Sequence, residues 1–404
     1  MALTMHQKKA VTREQAKRYA KASKKEKSRI LDEYTTLTGY NRSYGAWALR
    51  NAARPGKVTK KKPPRPRAKK YGPEEFKALR KVWAVLSMPS GKRLAPYMEE
   101  IVKVLERCGE LELVPAVRDN LLSVSASTID RLLAPERKRL RLKGRKGTKP
   151  GTLLKHQVPI RTFDGHDQEE PGFLEIDLVG HEGGNPRGDF AQTLDVTCVF
   201  STWTETRAVR NKAQKWVFAA LSMILSRLPF EALGIDSDNG GEFINAHLVR
   251  FCAEKELAFT RSRPYRKNDN CFVEQKNWTV VRKTVGYFRY DTEEELKILN
   301  QIYGYLRLYT NYFQPTMKLV RKTRTGAKVK KEYDKPRTPY QRLMECPAVS
   351  KEAKAAMKAE YENLNPAQLK RKIIKLQGRL FTFNVNKMKE VRKEEKPQPL
   401  SSRF

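Results

Sequence analysis

The chain has 404 residues and a mass of 46.7 kDa, too long for one small domain, and its 82 Lys and Arg against 45 Asp and Glu give a formal charge of +37. Mean hydropathy is −0.70, and no run approaches the roughly 20 apolar residues that cross a bilayer, which excludes a membrane-embedded chain; residues 1–18 also lack the apolar stretch of a secretory leader. Charge of this sign and size points to a polyanionic partner, and nucleic acid is the commonest one.

Residues 1–53 are expected to form a small helical module of the helix-turn-helix kind, although any three-helix bundle gives the same pattern. Thr12 with Gln15, and Ser23 with Glu26, have the spacing of capping boxes. Ile30, Leu31, Tyr34 and Leu37 recur at helical spacing, Gly39 suits a turn, and Ser43 to Asn51 suits a third helix. Residues 54–72 combine prolines with a dense run of cations and read as a linker.

Residues 73–134 read as a second helical module. Phe76, Leu79, Val82, Trp83 and Leu86 form one stripe, and Ile101, Val104 and Leu105 another. Val117 to Leu122 predicts a helix, Ser123 to Ser125 a tight turn, and Ser125 a cap on the next helix. That helix would turn Ser127, Thr128 and Arg131 outward as DNA-reading side chains and Ile129, Leu132 and Leu133 inward; a plain helical hairpin is the competing reading. Residues 135–164 are a second cationic linker.

The middle of the chain differs. Residues 1–164 hold 40 basic and 15 acidic side chains and 301–404 hold 25 and 9, whereas 165–300 hold 17 and 21. Over 165–315 the alternation of PGFLEIDLVG, two further strand-like runs and the helical stretches that follow predict the order β-β-β-α-β-α-β-α, a layered α/β fold whose first three strands form a meander. Residues 292–313 predict one long helix. Residues 316–404 form a basic C-terminal region, with a loop or hairpin at 317–340, two helices over 349–380 parted near Asn365-Pro366, and a loose tail from Lys387.

Three carboxylates stand out. Cys271, Glu274, Trp278, Val281 and Val285 fall on one face of a helix, which is apolar except for Glu274; a buried carboxylate there needs a cation, a proton or a metal ion. Asp177 sits in mid-strand, where Asp is disfavoured, on the face shared by Phe173, Glu175 and Val179. Asp238 ends a strand in an Asp-Asn-Gly turn, and Asp236 lies on the same strand face. Oxygen ligands from separate elements suit a pair of Mg²⁺ ions. His6, His156, His166, His181 and His247 show no ligand spacing. Cys108, Cys198, Cys252, Cys271 and Cys346 include no close pair, so neither a zinc site nor a disulfide framework is indicated.

The series EIDLVG, IDSDNGGEF and RPYRKNDNCFVEQKNW resembles the catalytic core of retroviral-integrase-like DDE transposases, and among these the integrase-type transposases of bacterial insertion sequences. The 35 residues between Asp238 and Glu274 fit that family's D,D-35-E spacing and select Asp238 over Asp236; the 60 between Asp177 and Asp238 are somewhat more than usual. The resemblance covers about residues 165–300. It implies an RNase H-like core, a mixed sheet flanked by helices, with Asp177, Asp238 and Glu274 as catalytic metal ligands for two Mg²⁺ or Mn²⁺ ions. It further implies DNA cleavage and strand transfer, double-stranded DNA partners (the element's terminal repeats and the target), and a homo-oligomer on paired ends; the scattered cysteines by themselves point to a reducing place, the cytoplasm with its nucleoid. Asn239, Gly240, Arg261, Arg263, Arg266, Lys267, Lys276 and Asn277 are the expected DNA contacts near the carboxylates. Trp278 and Val281 stand where retroviral relatives often carry lysine. A decayed, regulator-like DNA-binding chain and a structure-specific nuclease are the competing functions.

Overall fold

A computed structural model describes residues 3–53, 70–139, 169–237, 246–261 and 271–394. The chain divides into two compact units, Met1–Lys69 and Lys70–Phe404.

The first unit is a three-helix bundle of α1 (Met5–Lys21), α2 (Lys24–Thr38) and α3 (Arg42–Ala53) around Ala16, Ile30, Leu31, Tyr34 and Leu49. Ser23 and Glu26 form the expected capping box, and Gly39 ends α2 at φ 69°, a left-handed turn that favours glycine. The box expected at Thr12 and Gln15 is corrected: the same T-x-x-Q pattern eight residues earlier, Thr4 with Gln7, caps α1. Thr12 is inside the helix, where its hydroxyl donates to the Lys8 carbonyl at 2.6 Å and shares a hydrogen bond with the Tyr34 hydroxyl at 2.6 Å. The spacing could not choose between two starts; tertiary contact with Tyr34 did.

The second unit opens with α4 (Pro73–Val85), α5 (Gly91–Leu94), α6 (Met98–Arg107), α7 (Pro115–Leu122), α8 (Ala126–Leu132) and α9 (Ala134–Arg139). The predicted stripe residues Leu79, Val82, Trp83, Leu86, Ile101, Val104, Leu105, Ile129 and Leu133 are all buried. Ser125 caps α8 as expected. Gly91 lets α5 lie directly on α8: a Cβ there would meet the Ala126 carbonyl oxygen at 2.0 Å. Asp130 locks this crossing by accepting from the Gly91 amide at 2.7 Å and from Arg137 at 2.6 Å.

The sheet follows the predicted order: β1 (Phe173–Gly180), β2 (Gln192–Cys198), β3 (Thr204–Val209), α10 (Gln214–Leu225), β4 (Gly234–Ser237), α11 (Ala246–Glu254), β5 (Ala258–Arg261) and α12 (Cys271–Lys276). In space the strands run β3-β2-β1-β4-β5. β1 is central, antiparallel to β2 and parallel to β4, and β5 is parallel to β4. This three-stranded meander continued by two parallel strands, flanked by helices, is the expected RNase H-like arrangement. An α-helical segment also follows α12 after a π-helical turn over Asn277–Arg282, namely α13 (Lys283–Val285).

The long helix α14 (Glu293–Phe313) packs on β3 and closes that edge by side chain. Asn300 exchanges two hydrogen bonds with the Ala208 backbone, both 3.0 Å, and Asn311 exchanges two with Thr204, both 2.9 Å. Unpaired edge groups thereby find partners without another strand. The hairpin of β6 (Leu319–Thr325) and β7 (Lys328–Tyr333) follows, then α15 (Pro339–Glu345), α16 (Lys351–Asn363) and α17 (Pro366–Glu394).

The expected loose tail is corrected from Lys387 to Glu394, because α17 runs 29 residues, to Glu394; residues 395–404 lie outside the described residues. Its far end is held by Lys387, whose ammonium donates to Glu295 at 2.8 and 2.9 Å, to Asp291 at 2.8 Å and to the Arg289 carbonyl at 3.0 Å. A charged stretch read as solvated is in fact the partner of buried Glu295. The early helices share this unit's core with the C-terminal ones. Tyr309 on α14 donates to the Val85 carbonyl at 2.5 Å, and Arg107 on α6 donates to the Tyr361 carbonyl of α16 at 3.2 Å.

Behind β1, His181 is fully buried and shares a 2.7 Å hydrogen bond with Thr193, which shares another of 2.7 Å with the Tyr303 hydroxyl. Burial pulls its pKa from 6.5 down to about 3. A depressed pKa means that His181 contributes its full stability above about pH 6.5 and loses it as the pH falls toward 3. His181→Gln is therefore expected to flatten the acid limb of stability by at most about 1.4 kcal/mol per pH unit, read from denaturation midpoints between pH 7.5 and 4.5.

Candidate functional site

One face of the sheet is polar. Register places Glu175 of β1 beside Thr197 of β2 and Asp236 of β4, Asp236 beside Thr260 of β5, and Asp177 beside Asp195 of β2. The opposite face carries Leu174, Ile176, Leu194, Val196 and Ile235, all buried. Alternation along β1 thus puts two carboxylates under whatever covers the polar face, and α12 covers it. β1 is central, so Asp177 does not lie on a wet edge strand.

Glu175 is fully buried, and its Oε2 accepts the backbone amides of Phe272 and Val273 at 2.9 and 2.8 Å. These are unpaired donors of the first turn of α12, where a carboxylate is also favoured by the helix dipole. Burial pushes the Glu175 carboxyl up to about 8, helped by Asp236 and Glu274 and opposed by the two amides. Thr260 donates to Asp236 at 2.7 Å.

The next turn of the helix reaches the other carboxylates. Asn277 donates to Asp177 Oδ2 at 2.5 Å, and Asp177 Oδ1 accepts from the Leu178 amide at 2.8 Å. Lys276 is 7% exposed and donates to the Thr202 carbonyl at 3.1 Å, facing Asp195 on the strand below. Burial raises the Asp195 carboxyl and lowers the Lys276 ammonium to about 8, while each partner's charge opposes the other's shift. The helix that bears Glu274 is therefore held to the strand that bears Asp177 by Glu175 and Asn277, while Lys276 ties it to Thr202 and faces Asp195 of β2.

Two expectations are corrected here. Glu274 is exposed, as is Trp278, and the buried stripe is Val273, Lys276, Val280, Val281 and Val285. The π-helical turn over Asn277–Arg282 inserts one extra residue, so a stripe drawn at α-helical spacing is right at Val281 and Val285 and wrong upstream. Glu274 thus projects from the covering helix to the solvent side. Lys276, expected as a DNA contact, points inward, and Asn277 is half-buried against Asp177. Ser127 and Arg131 are exposed on α8 and Thr128 is half-buried, with Arg131 donating to the Thr128 hydroxyl at 3.1 Å. Asp238, Asn239, Gly240, Arg263, Arg266 and Lys267 lie outside the described residues; Arg261 is the last position of β5, described in its backbone. Along β4 the register ends with Ile176 beside Ser237, one residue short of both Asp177 and Asp238.

Sequence reasoning missed Glu175 and Asp195. Glu175 was visible as a second acid on the Asp177 face of β1. Asp195 carried the same mid-strand signal as Asp177, but only strand pairing sets the two side by side.

The donors that the strands present on this face are all oxygens of Asp, Glu and Thr, the set that Mg²⁺ and Mn²⁺ take in preference to zinc. Glu175 Oε1 and Asp195 Oδ2 are buried without a hydrogen-bond partner among the described residues. No group of three His, Cys, Asp or Glu close enough to hold an ion occurs among the described residues. Lys276→Met, which leaves Asp195 buried without its cation, is expected to destabilise the protein by about 3 kcal/mol in urea unfolding. A lysine on a DNA-facing surface would instead change the salt dependence of DNA binding and leave stability alone.

The integrase core domain model matches residues 167–267. The uncharacterized protein y4rM of Sinorhizobium fredii is 40% identical over 327 residues, which cover 80% of this chain and 91% of that protein. The catalytic core domain of BIV integrase is similar at 14% identity and a TM-score of 0.29, over 42% of this chain and 91% of that one. The HTLV-2 integrase catalytic core domain, solved in complex with magnesium in a dimeric form, gives 13% identity and a TM-score of 0.28, over 36% of this chain and 89% of that one. The chain belongs to the same family as y4rM and carries an integrase core domain, which makes it a transposase/integrase-like protein of the DDE type.

Proposed function

We propose that the protein is a DNA transposase that cleaves the 3′ ends of a mobile element and joins them to target DNA. The single observation that carries this reading is the hydrogen bond from Asn277 to Asp177. It joins the strand and the helix that hold the first and last of the three carboxylates, which are 97 positions apart in the sequence. Asp177 and Glu274, with Asp238, would hold two divalent ions, which when bound activate the attacking water or 3′-hydroxyl and stabilise the leaving oxygen.

The chain's own groups serve that chemistry in definite ways. Asn277 and the Leu178 amide fix the two Asp177 oxygens. Glu175 and Lys276 seat the helix that bears Glu274. Arg261, Arg263, Arg266 and Lys267 supply cations for phosphates close to Glu274 in sequence. Ser127, Thr128 and Arg131 on α8 form a candidate reading surface for the terminal repeats, and the short turn between α7 and α8 supports a helix-turn-helix role. The partner is double-stranded DNA, engaged by a homo-oligomer on paired ends. Among the described residues no helix is long and apolar enough to cross a membrane.

Asp177→Asn, Asp238→Asn and Glu274→Gln are each expected to abolish Mg²⁺-dependent cleavage and joining of end-bearing oligonucleotides while duplex binding, measured by anisotropy, is retained. Joining by all three variants at the wild-type rate would refute the assignment. Cleavage without joining of pre-cut ends would make the protein a nuclease instead, and specific binding with no product under any metal would make it a regulator.

A further inference from the structure

The hairpin β6–β7 has no role in the site just described, yet its chemistry is pronounced. Every residue of β6 is exposed. Register sets Lys322 directly opposite Lys331 and Arg324 opposite Val329, so one face of the ribbon carries Lys322, Arg324 and Lys331. Among the described residues these three make no ion pair with a carboxylate; Arg324 donates to the Gly326 carbonyl at 3.2 Å. The only acid of the two strands, Glu332, pairs with Lys330 on the other face, at 2.8 Å. Like charges directly opposed across strands destabilise a ribbon. The same face exposes Val329 and Tyr333, and Val320 (70% exposed) stands unpaired at a register irregularity between Leu319 and Arg321. Such a surface is unfavourable in water alone and suits a polyanion with apolar edges.

The base of the ribbon, by contrast, is firmly built. Asp334 accepts from the Lys318 amide at 2.6 Å and from Arg342 at 2.7 Å, and Arg342 also donates to the Thr316 carbonyl at 3.1 Å. The Lys318 ammonium donates to the Phe200 carbonyl at 3.0 Å and lies 5.9 Å from the ring of Phe272, two residues before Glu274. The base of the ribbon therefore lies beside the start of the helix that bears Glu274. A strand of seven residues reaches roughly 20 Å, and a two-stranded ribbon fits the major groove of B-DNA.

We propose that β6–β7 is a DNA-binding ribbon whose Lys322, Arg324 and Lys331 face engages the duplex next to the end being processed. The inference rests on the reading of the protein as a DNA-joining enzyme for its partner, but its test reads binding alone. Full-length protein is titrated with a 30-bp DNA duplex by fluorescence anisotropy from about 50 to 300 mM KCl. Lys322→Gln/Arg324→Gln/Lys331→Gln is expected to make the slope of log K against log salt shallower by roughly 2–3, since each lost phosphate contact removes about 0.9. In parallel, Lys331→Glu is expected to weaken binding while leaving the unfolding midpoint of the free protein unchanged or higher, because it turns a repulsive cross-strand pair into an attractive one. A slope and affinity equal to wild type in the triple variant overturn the proposal. A ribbon-dependent loss seen with duplex RNA and absent with DNA also overturns it, as does a fall in the unfolding midpoint of Lys331→Glu that accounts for its weaker binding. Loss of joining in the carboxylate variants with ribbon-dependent binding intact leaves the two conclusions separable: inactivity of the wild type would remove the enzymatic reading and leave this one standing.

Discussion

A central strand with acids on the face that a helix must cover sets the terms for the rest of the core. Glu175 and Asp177 lie two residues apart on β1, and strand pairing adds Asp195 and Asp236 on either side. Four carboxylates on one sheet face cannot be covered by an apolar helix. The covering helix answers three of them in different ways, while Asp236 accepts from Thr260 of β5: its free first-turn amides go to Glu175, its lysine faces Asp195, and its asparagine goes to Asp177. Compensation of charge on the sheet and positioning of Glu274 are one and the same set of contacts.

The π-helical turn belongs to this arrangement. It lets Lys276 and Asn277 reach the sheet in succession and still returns Val280, Val281 and Val285 to the apolar core. A regular α-helix would hold one of these requirements at the expense of the other, since neighbours in sequence point about 100° apart. Such extra-residue turns occur often at functional sites. The same principle of side chains standing in for backbone partners recurs at the sheet edge, where Asn300 and Asn311 occupy β3.

Charge is distributed in the same two-level way. Cations close to the carboxylates are neutralised inside the fold, as Lys276 and Lys387 show. The ribbon carries an exposed surplus, six cations to one acid, where water and counterions, or a nucleic acid, must balance it.

Much of this was legible in the sequence. The order of strands along the chain, the helical stripe around Trp83, the long helix near 292–313 and the Ser125 cap follow from periodicity and turn chemistry, which are local. Asp177 was conspicuous because an acid in mid-strand breaks a local preference. The face of Glu274, the inward turn of Lys276, the partnership of Asp177 with Asp195, and the ordering of the tail by Lys387 were not legible. Each depends on which residue a distant segment places alongside, and on one extra residue in a helical turn that no spacing rule announces. Local pattern determined the elements and the acids; only the packing of β1, β2 and α12 decided which charges are buried, which are neutralised and which remain facing outward.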